Sequence, residues 1–256
     1  MGKVIAVSNQ KGGVGKSTTV VNLAAVFGQR GNKVLIVDFD PQGNSTTSLG
    51  VRKKSVRNTV FELIMGECTA FEAVVATEYR GVSLIPTTQR LSGASAMLLD
   101  MKDKAGKLRE ALKEARDFYD YIFIDCPPTL DMLTINALAA ADSVIIPIQC
   151  EFLSLEGLTE LYNTVKRVRK TFNEGLKIEG ILFTMYVDRY KVTGQIVKEV
   201  KKYFDSEVFE TVIPRNVALS EAPSFGMPAI YYDKKCKGSR AYEALAKEMI
   251  KKNRRK

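Results

Sequence analysis

Between an apolar run, Val4-Ile-Ala-Val7, and an amphipathic stretch from Thr19 to Gln29 lies the segment Lys11-Gly12-Gly13-Val14-Gly15-Lys16-Ser17-Thr18. The run reads as a short strand over Lys3 to Ser8, and the stretch as a helix with Val20, Leu23, Ala24 and Phe27 on one face. Glycines at such a strand-to-helix turn let successive backbone N–H groups curl around an anion, and the first helical turn adds unpaired N–H groups and a positive dipole end. A triphosphate fits this cradle. In the ordinary motif, G-x-x-x-x-G-K-[ST], Gly15, Lys16 and Ser17 fill the second half, with Lys16 reaching the β- and γ-phosphates and the Ser17 hydroxyl ligating magnesium. The first half departs: Gln10 stands where the first glycine would be, and Lys11 precedes the Gly12-Gly13 pair.

Two further strands end in acids. Lys33 to Asp38, with Val34-Leu-Ile-Val37 apolar throughout, runs into Asp38-Phe-Asp40-Pro41-Gln-Gly43-Asn44. Ligands of open parallel sheets bind outside the carboxyl ends of the strands, which brings Asp40 to the crevice of the loop, where it can orient water or support a metal. Turn formation is the plainer use of Asp38 and Asp40, since Asp-Pro and Gln-Gly are turn dipeptides. Tyr121-Ile-Phe-Ile-Asp125-Cys-Pro-Pro128 is an apolar strand ending in the carboxylate expected to hold magnesium through water, with Cys126 as a small packing residue. A helix from about Leu133 to Ala140, a strand at Ser143 to Gln149 and a last strand at Ile178 to Thr184 complete the alternation. Strands alternating with helices predict an α/β fold, a doubly wound and mostly parallel sheet flanked by helices.

At 256 residues and 45% hydrophobic, the chain can bury one sizeable core, and residues 1–256 read as a single domain without linker or repeat. No signal peptide or long apolar run is present, and Cys68, Cys126, Cys150 and Cys236 lack C-x-x-C spacing, which predicts a reduced, cytoplasmic setting and no iron–sulfur cluster. The net charge is +9. A basic tail over about 247–256 carries Lys247, Lys251, Lys252, Arg254, Arg255 and Lys256 against Glu248. Upstream, Arg189, Lys191, Lys198, Lys201, Lys202, Arg215, Lys234, Lys235, Lys237 and Arg240 outnumber the acids among them. Such a surface can bind DNA phosphates without reading sequence and in a salt-sensitive way; a solvated helix face is the plain alternative. Gly238 to Ile250 spaces Tyr242, Leu245, Met249 and Ile250 helically and reads as a last core-packing helix, leaving no apolar face for lipid. The guanine-reading patterns N-K-x-D and T-K-x-D are absent, which favours ATP over GTP.

Together with Pro147-Ile-Gln-Cys-Glu151, Leu155-Glu-Gly157, Thr211-Val-Ile-Pro-Arg-Asn216 and Leu219-Ser-Glu-Ala-Pro223, these motifs resemble the ParA/MinD group of deviant Walker ATPases nearly end to end. Within it the chain is most similar to the short ParA proteins of the Soj type, which segregate chromosomes and plasmids. The resemblance implies an ATP- and magnesium-dependent sandwich homodimer in which Lys11 of each protomer reaches the phosphates of the other. Gly12, Gly13, Val14, Gly15, Lys16, Ser17 and Thr18 would hold the nucleotide, Ser17 and Asp125 the magnesium, Asp40 the attacking water, and Pro214 and Asn216 the adenine. It further implies non-specific double-stranded DNA on Arg189 and the neighbouring lysines, a nucleoid location, slow intrinsic hydrolysis, and stimulation by a ParB-like centromere-binding protein. Ala218 departs from the pattern, since DNA-binding relatives often carry a basic residue there, which shifts the expected DNA surface toward Lys234 to Arg240. The loop begins at residue 11, so the N-terminal helix-turn-helix extension of longer relatives is not expected. A MinD-like positioning ATPase acting at a membrane is the alternative, and an iron-protein relative would need cluster cysteines that the spacing does not supply.

Overall fold

The computed structural model describes residues 1–152 and 154–254, so Arg255 and Lys256 of the basic tail lie outside it. Seven strands form one sheet: β1 (Lys3–Val7), β2 (Val34–Asp38), β3 (Val75–Ala76), β4 (Val82–Ile85), β5 (Tyr121–Asp125), β6 (Ser143–Gln149) and β7 (Lys177–Thr184). Their order is β3-β4-β2-β5-β1-β6-β7, and every pairing is parallel except the short β3 on β4. The register sets Val7 beside Asp125 and Asp38 beside Asp125, so three strands end level with one another. The chain leaves β1 toward β2 on one side and later crosses to β6 on the other. The gap beyond β1 and β6 is therefore the switch point where α/β sheets bind ligands.

Burial on both faces follows from strand composition, because consecutive apolar residues alternate sides. Val4, Ala6, Val37, Ile122, Ile124 and Ile146 point to one layer, formed by α2 (Met132–Ala140), α3 (Ser154–Thr171), α4 (Lys191–Phe204) and several shorter helices. Ile5, Val7, Ile36, Phe123 and Leu182 point to the other, formed mainly by α1 (Lys16–Gln29) and α5 (Lys237–Arg254). Cys126 is fully buried, as its packing role requires, while Tyr242, Leu245 and Met249 sit in the core against α1. Among the described residues no helix is long and apolar enough to cross a membrane. Helix α1 begins at Lys16, earlier than periodicity indicates, because the end of the glycine loop is itself its first turn. The segment between β2 and β5, including β3 and β4, breaks into pieces of two to six residues, too short to leave a clear period.

One glycine fixes how closely α1 lies on the sheet edge. A Cβ at Gly28 would stand 2.2 Å from the Arg80 carbonyl oxygen and 3.0 Å from the Val82 side chain. Alanine in a helix interior ordinarily gains about 1 kcal/mol over glycine. At this position Gly28→Ala is expected to cost about 1–3 kcal/mol instead, because backbone must move. Urea unfolding checks it: a lower midpoint at unchanged m-value is the expected result.

Candidate nucleotide site

The phosphate loop starts where β1 ends; two side chains from neighbouring strands hold its carbonyls, and Asn9 ties its start to β6. Thr184, last in β7, donates its hydroxyl to Val14 O (2.8 Å) and Ile148 O (3.1 Å). Gln149, last in β6, donates to Gly13 O (3.0 Å). Asn9 donates to Pro147 O (2.7 Å) and accepts the Lys11 N–H (2.9 Å). Gly13 and Gly15 take φ of 72° and 87°, the left-handed region that side chains avoid, so that the loop's N–H groups turn inward. Gly12 and Gly13 are exposed, whereas Val14 is fully buried.

Lys16 is 7% exposed, and its ammonium donates to Lys11 O (3.3 Å). Burial lowers its pKa, opposed by the charges of Asp125 and Asp40. Asp125 is fully buried; the Ser45 hydroxyl bonds its Oδ2 at 2.7 Å, while Oδ1 has no partner. Desolvation raises the pKa of Asp125, and that of Asp38 with the adjacent Asp125 charge adding to it. Asp38 is bonded through Oδ2 by the Thr46 N–H (2.7 Å) and hydroxyl (2.6 Å). Asp40 is 5% exposed and accepts the Gln42 N–H (2.9 Å), which combines the turn role with a place at the crevice. Ser45, Thr46 and Thr184 escaped the sequence reading; the Ser45-Thr-Thr47 run directly after Asn44 was the available signal for the first two.

A cavity of about 400 Å³ adjoins the loop, lined by Gly15, Thr18, Thr184, Met185, Pro214 and Asn216 among others, with Tyr242 of α5 in its wall. Pro214 and Asn216 thus line one cavity with Thr18. The side-chain oxygen of Asn216 is buried and has no partner within the protein. The Tyr242 hydroxyl pairs with Thr19 Oγ1 (3.1 Å), a contact invisible to motif reading because it joins residues 223 apart.

Lys11 behaves differently from Lys16. Its ammonium lies at the rim, 2.5 Å from Glu151 Oε2, in an exposed ion pair. Arg189 is exposed just beyond the end of β7, its guanidinium 5.5 Å from the Tyr190 ring centre. The other predicted DNA residues are all exposed but form two groups rather than one surface. Lys198, Lys201 and Lys202 belong to α4, where Lys201 shares a groove with Lys251 and Lys252 at the far end of α5, and Lys202 lies 3.9 Å from Glu199. Lys234, Lys235, Lys237 and Arg240 cluster at the start of α5, roughly 20 Å along the helix axis from Lys251. Ala218 is 9% exposed, so the missing basic residue falls on a largely buried position.

A glycine loop entering a helix at the carboxyl edge of a parallel sheet, with an acidic strand end beside it, defines the P-loop nucleoside triphosphatases. Residues 2–178 match the family model described as AAA domain. The chain is 49% identical over 249 residues to the sporulation initiation inhibitor protein Soj of Bacillus subtilis, covering 97% of this chain and 98% of that protein. It is 46% identical to the chromosome partitioning protein ParA of Caulobacter vibrioides, covering 98% and 95%. The chain belongs to the Soj/ParA family of partitioning ATPases. Among solved structures it is similar to cobyrinic acid a,c-diamide synthase of Mycobacterium smegmatis with bound ADP and magnesium (TM-score 0.85, 36% identity, 96% of this chain and 93% of that one). It is also similar to the cell division ATPase MinD of Pyrococcus furiosus (TM-score 0.81, 28% identity, 98% and 99%).

The Asp38–Asp125 pair makes a pH prediction. A carboxyl whose folded pKa is raised holds its proton longer in the native state, so stability is greatest below the unfolded pKa and falls as pH rises toward the folded value. Asp38 rises from 3.8 to about 8. Without nucleotide, the protein is expected to lose stability between pH 5 and about 8, and Asp38→Asn to remove at least about 1 kcal/mol of that loss. Urea midpoints at the two pH values check it.

Proposed function

We propose that this chain is an ATP-driven DNA-partitioning ATPase that works as a nucleotide-sandwich homodimer, with residues 1–256 acting as one ATPase domain. The loop N–H groups and Lys16 hold the phosphates, and the cavity beside Thr18 takes adenine against Pro214 and Asn216. The unpaired Asn216 oxygen suits the adenine amino group as donor. Magnesium neutralises charge on the β- and γ-phosphate oxygens when bound, and Ser17 and Asp125 would hold it. The free Asp125 Oδ1 supports that assignment. Among the described residues no group of three or more His, Cys, Asp or Glu side chains is arranged for a metal, which suits an ion held by one carboxylate, waters and phosphates. Asp40, at the same edge, orients the attacking water.

The dimer reading rests on Lys11: half-buried at the rim and paired with the more exposed Glu151, it can leave that contact for the phosphates of a second copy. Positive charge delivered across an interface stabilises the transferring phosphoryl group, which ties hydrolysis to association. DNA is held non-specifically through Arg189 and the α4 lysines or the Lys234–Arg240 group, doubled in the dimer. The names of the relatives support chromosomal cargo. A ParB-like protein that stimulates hydrolysis and a cytoplasmic, nucleoid-associated location are what the family resemblance implies for this chain.

The sandwich is testable at Gly12, where an added Cβ meets nothing within 4 Å of its own chain. Gly12→Val is expected to leave the monomer's thermal midpoint within a few degrees of wild type while abolishing the ATP-dependent dimer in analytical ultracentrifugation. Cosedimentation with DNA and with anionic liposomes, each with ATP or ADP, tests the function. ATP-dependent, salt-sensitive pelleting with DNA alone is expected; pelleting with liposomes would favour the membrane reading, which the burial of Tyr242, Leu245 and Met249 opposes.

A further inference from the structure

On the α2 and α3 side of the sheet, remote from the phosphate loop, a groove of about 640 Å³ runs between the short helices Val60–Met65 and Ala70–Ala73 and the segment 103–118. Leu63, Ile64 and Ala70 form an apolar floor, with Met65 and Cys68 half-buried beside them. The rim is acidic: Asp103, Glu110, Glu114 and Asp117 are all exposed. Two lysines interrupt it, Lys107 and Lys113, and Lys113 already lies 3.8 Å from Glu110. Glu67 and Glu72 lie close enough for their charges to reach Cys68, whose thiol pKa is raised first by burial and then by Glu62, Glu72 and Glu67. Next along the chain from Asp117 and Ala70 stand Phe118 and Phe71, an exposed edge-to-face pair with ring centres 5.8 Å apart. Asp117 shortly precedes Tyr121, where β5 begins, so the rim reaches the amino edge of the sheet, opposite the nucleotide.

In a chain of net charge +9 this groove reverses the local sign. Its carboxylates repel the phosphates of nucleic acid and of anionic lipid, so it stays open when the basic surfaces are occupied. We infer that the groove docks a short cationic peptide segment of a partner protein, an aliphatic side chain seated on Leu63, Ile64 and Cys68 and flanking lysines or arginines on Glu114 and Asp117. Acidic walls over an apolar floor select such a segment over an acidic or purely polar one, and the exposed Phe71 ring offers further contact to a cation, the Phe118 ring already carrying the Lys33 ammonium 4.3 Å from its centre. The inference stands apart from the nucleotide chemistry, because no residue of the groove touches the loop or the base cavity.

The probe is a fluorescein-labelled decapeptide with a central leucine and four lysines, titrated into the full-length protein and followed by anisotropy, with a glutamate-for-lysine peptide as control. Saturable binding of the lysine peptide alone is expected, weakened roughly tenfold or more by Glu114→Lys with Asp117→Lys. Both positions are exposed, so thermal unfolding of that variant is expected to match wild type. Nucleotide binding and basal ATP turnover should be unchanged in it, which separates failure here from failure of the ATPase reading. Absence of saturable binding, or binding that the double charge reversal leaves unchanged, would overturn the inference. So would self-association of the wild-type chain that the reversal abolishes, since the groove would then serve a second copy.

Discussion

A lysine ammonium taken almost wholly out of water governs this site. Burial of Lys16 is tolerable because Asp125 and Asp40 lie in its field and the Lys11 carbonyl accepts one of its protons. Each carboxylate in turn depends on hydroxyl and amide donors from the segment after β2, where Ser45 and Thr46 supply three hydrogen bonds to Asp125 and Asp38. Removing one partner from such a cluster leaves another charge buried and unpaired, a loss larger than the pair is worth intact. The conformation of the loop, the short helix Asn44–Ser48 and the level ends of β2 and β5 are therefore one electrostatic arrangement. The negative charge of a nucleotide's phosphates would complete it by supplying the buried ammonium with a stronger anionic partner than the Lys11 carbonyl.

The other half of the crevice is tied together by buried side-chain hydrogen bonds. Helix α5 reaches α1 through Tyr242, whose hydroxyl meets Thr19, and the segment before α5 reaches it through Ala229, whose N–H donates to Asn22 Oδ1 (2.9 Å). Asn22 also bonds the Thr18 carbonyl (2.8 Å), so the first turns of the phosphate helix are tied to the C-terminal segment by buried side chains. The wall of the base cavity and the start of the basic cluster at Lys234 to Arg240 consequently belong to one rigid piece. Polar contacts held in low dielectric specify geometry strongly, because no water replaces them if they break.

Legibility followed locality. The meeting of the loop, Asp40 and Asp125 at one edge could be read because each sits within a few residues of a strand end, and parallel topology brings strand ends together. The core reading of Tyr242, Leu245 and Met249 rested on helical spacing and held for the same reason. Contacts such as Thr184 to Val14 and Tyr242 to Thr19 carry no local signature, since a threonine at a strand end or a tyrosine on a helix face is ordinary in isolation. The basic residues illustrate the converse. Close in sequence, the basic residues separate in the fold: α4 packs on one face of the sheet and α5 on the other, and Lys201 shares a groove with Lys251 while Lys237 sits at the far end of α5.

Two lysines, five positions apart in one loop, end in opposite dielectrics, and that difference explains why both are present. Lys16 is held by desolvated neighbours and has no freedom to serve another molecule. Lys11 forms an exposed pair with Glu151, and such pairs are worth about 0–1 kcal/mol because water and salt compete for both partners. A contact that weak fixes the direction of the side chain without holding it against a stronger anion. The phosphate groups of a bound nucleotide, with several charges on adjacent oxygens, are a stronger anion than one solvated carboxylate. The glycines that follow Lys11 leave its surroundings open, since no atom of the chain lies within 4 Å of a Cβ built at Gly12 or Gly13. A half-buried cation beside an open, side-chain-free rim suits the sandwich proposed above, in which the same loop would close on phosphate from within and present a charge outward.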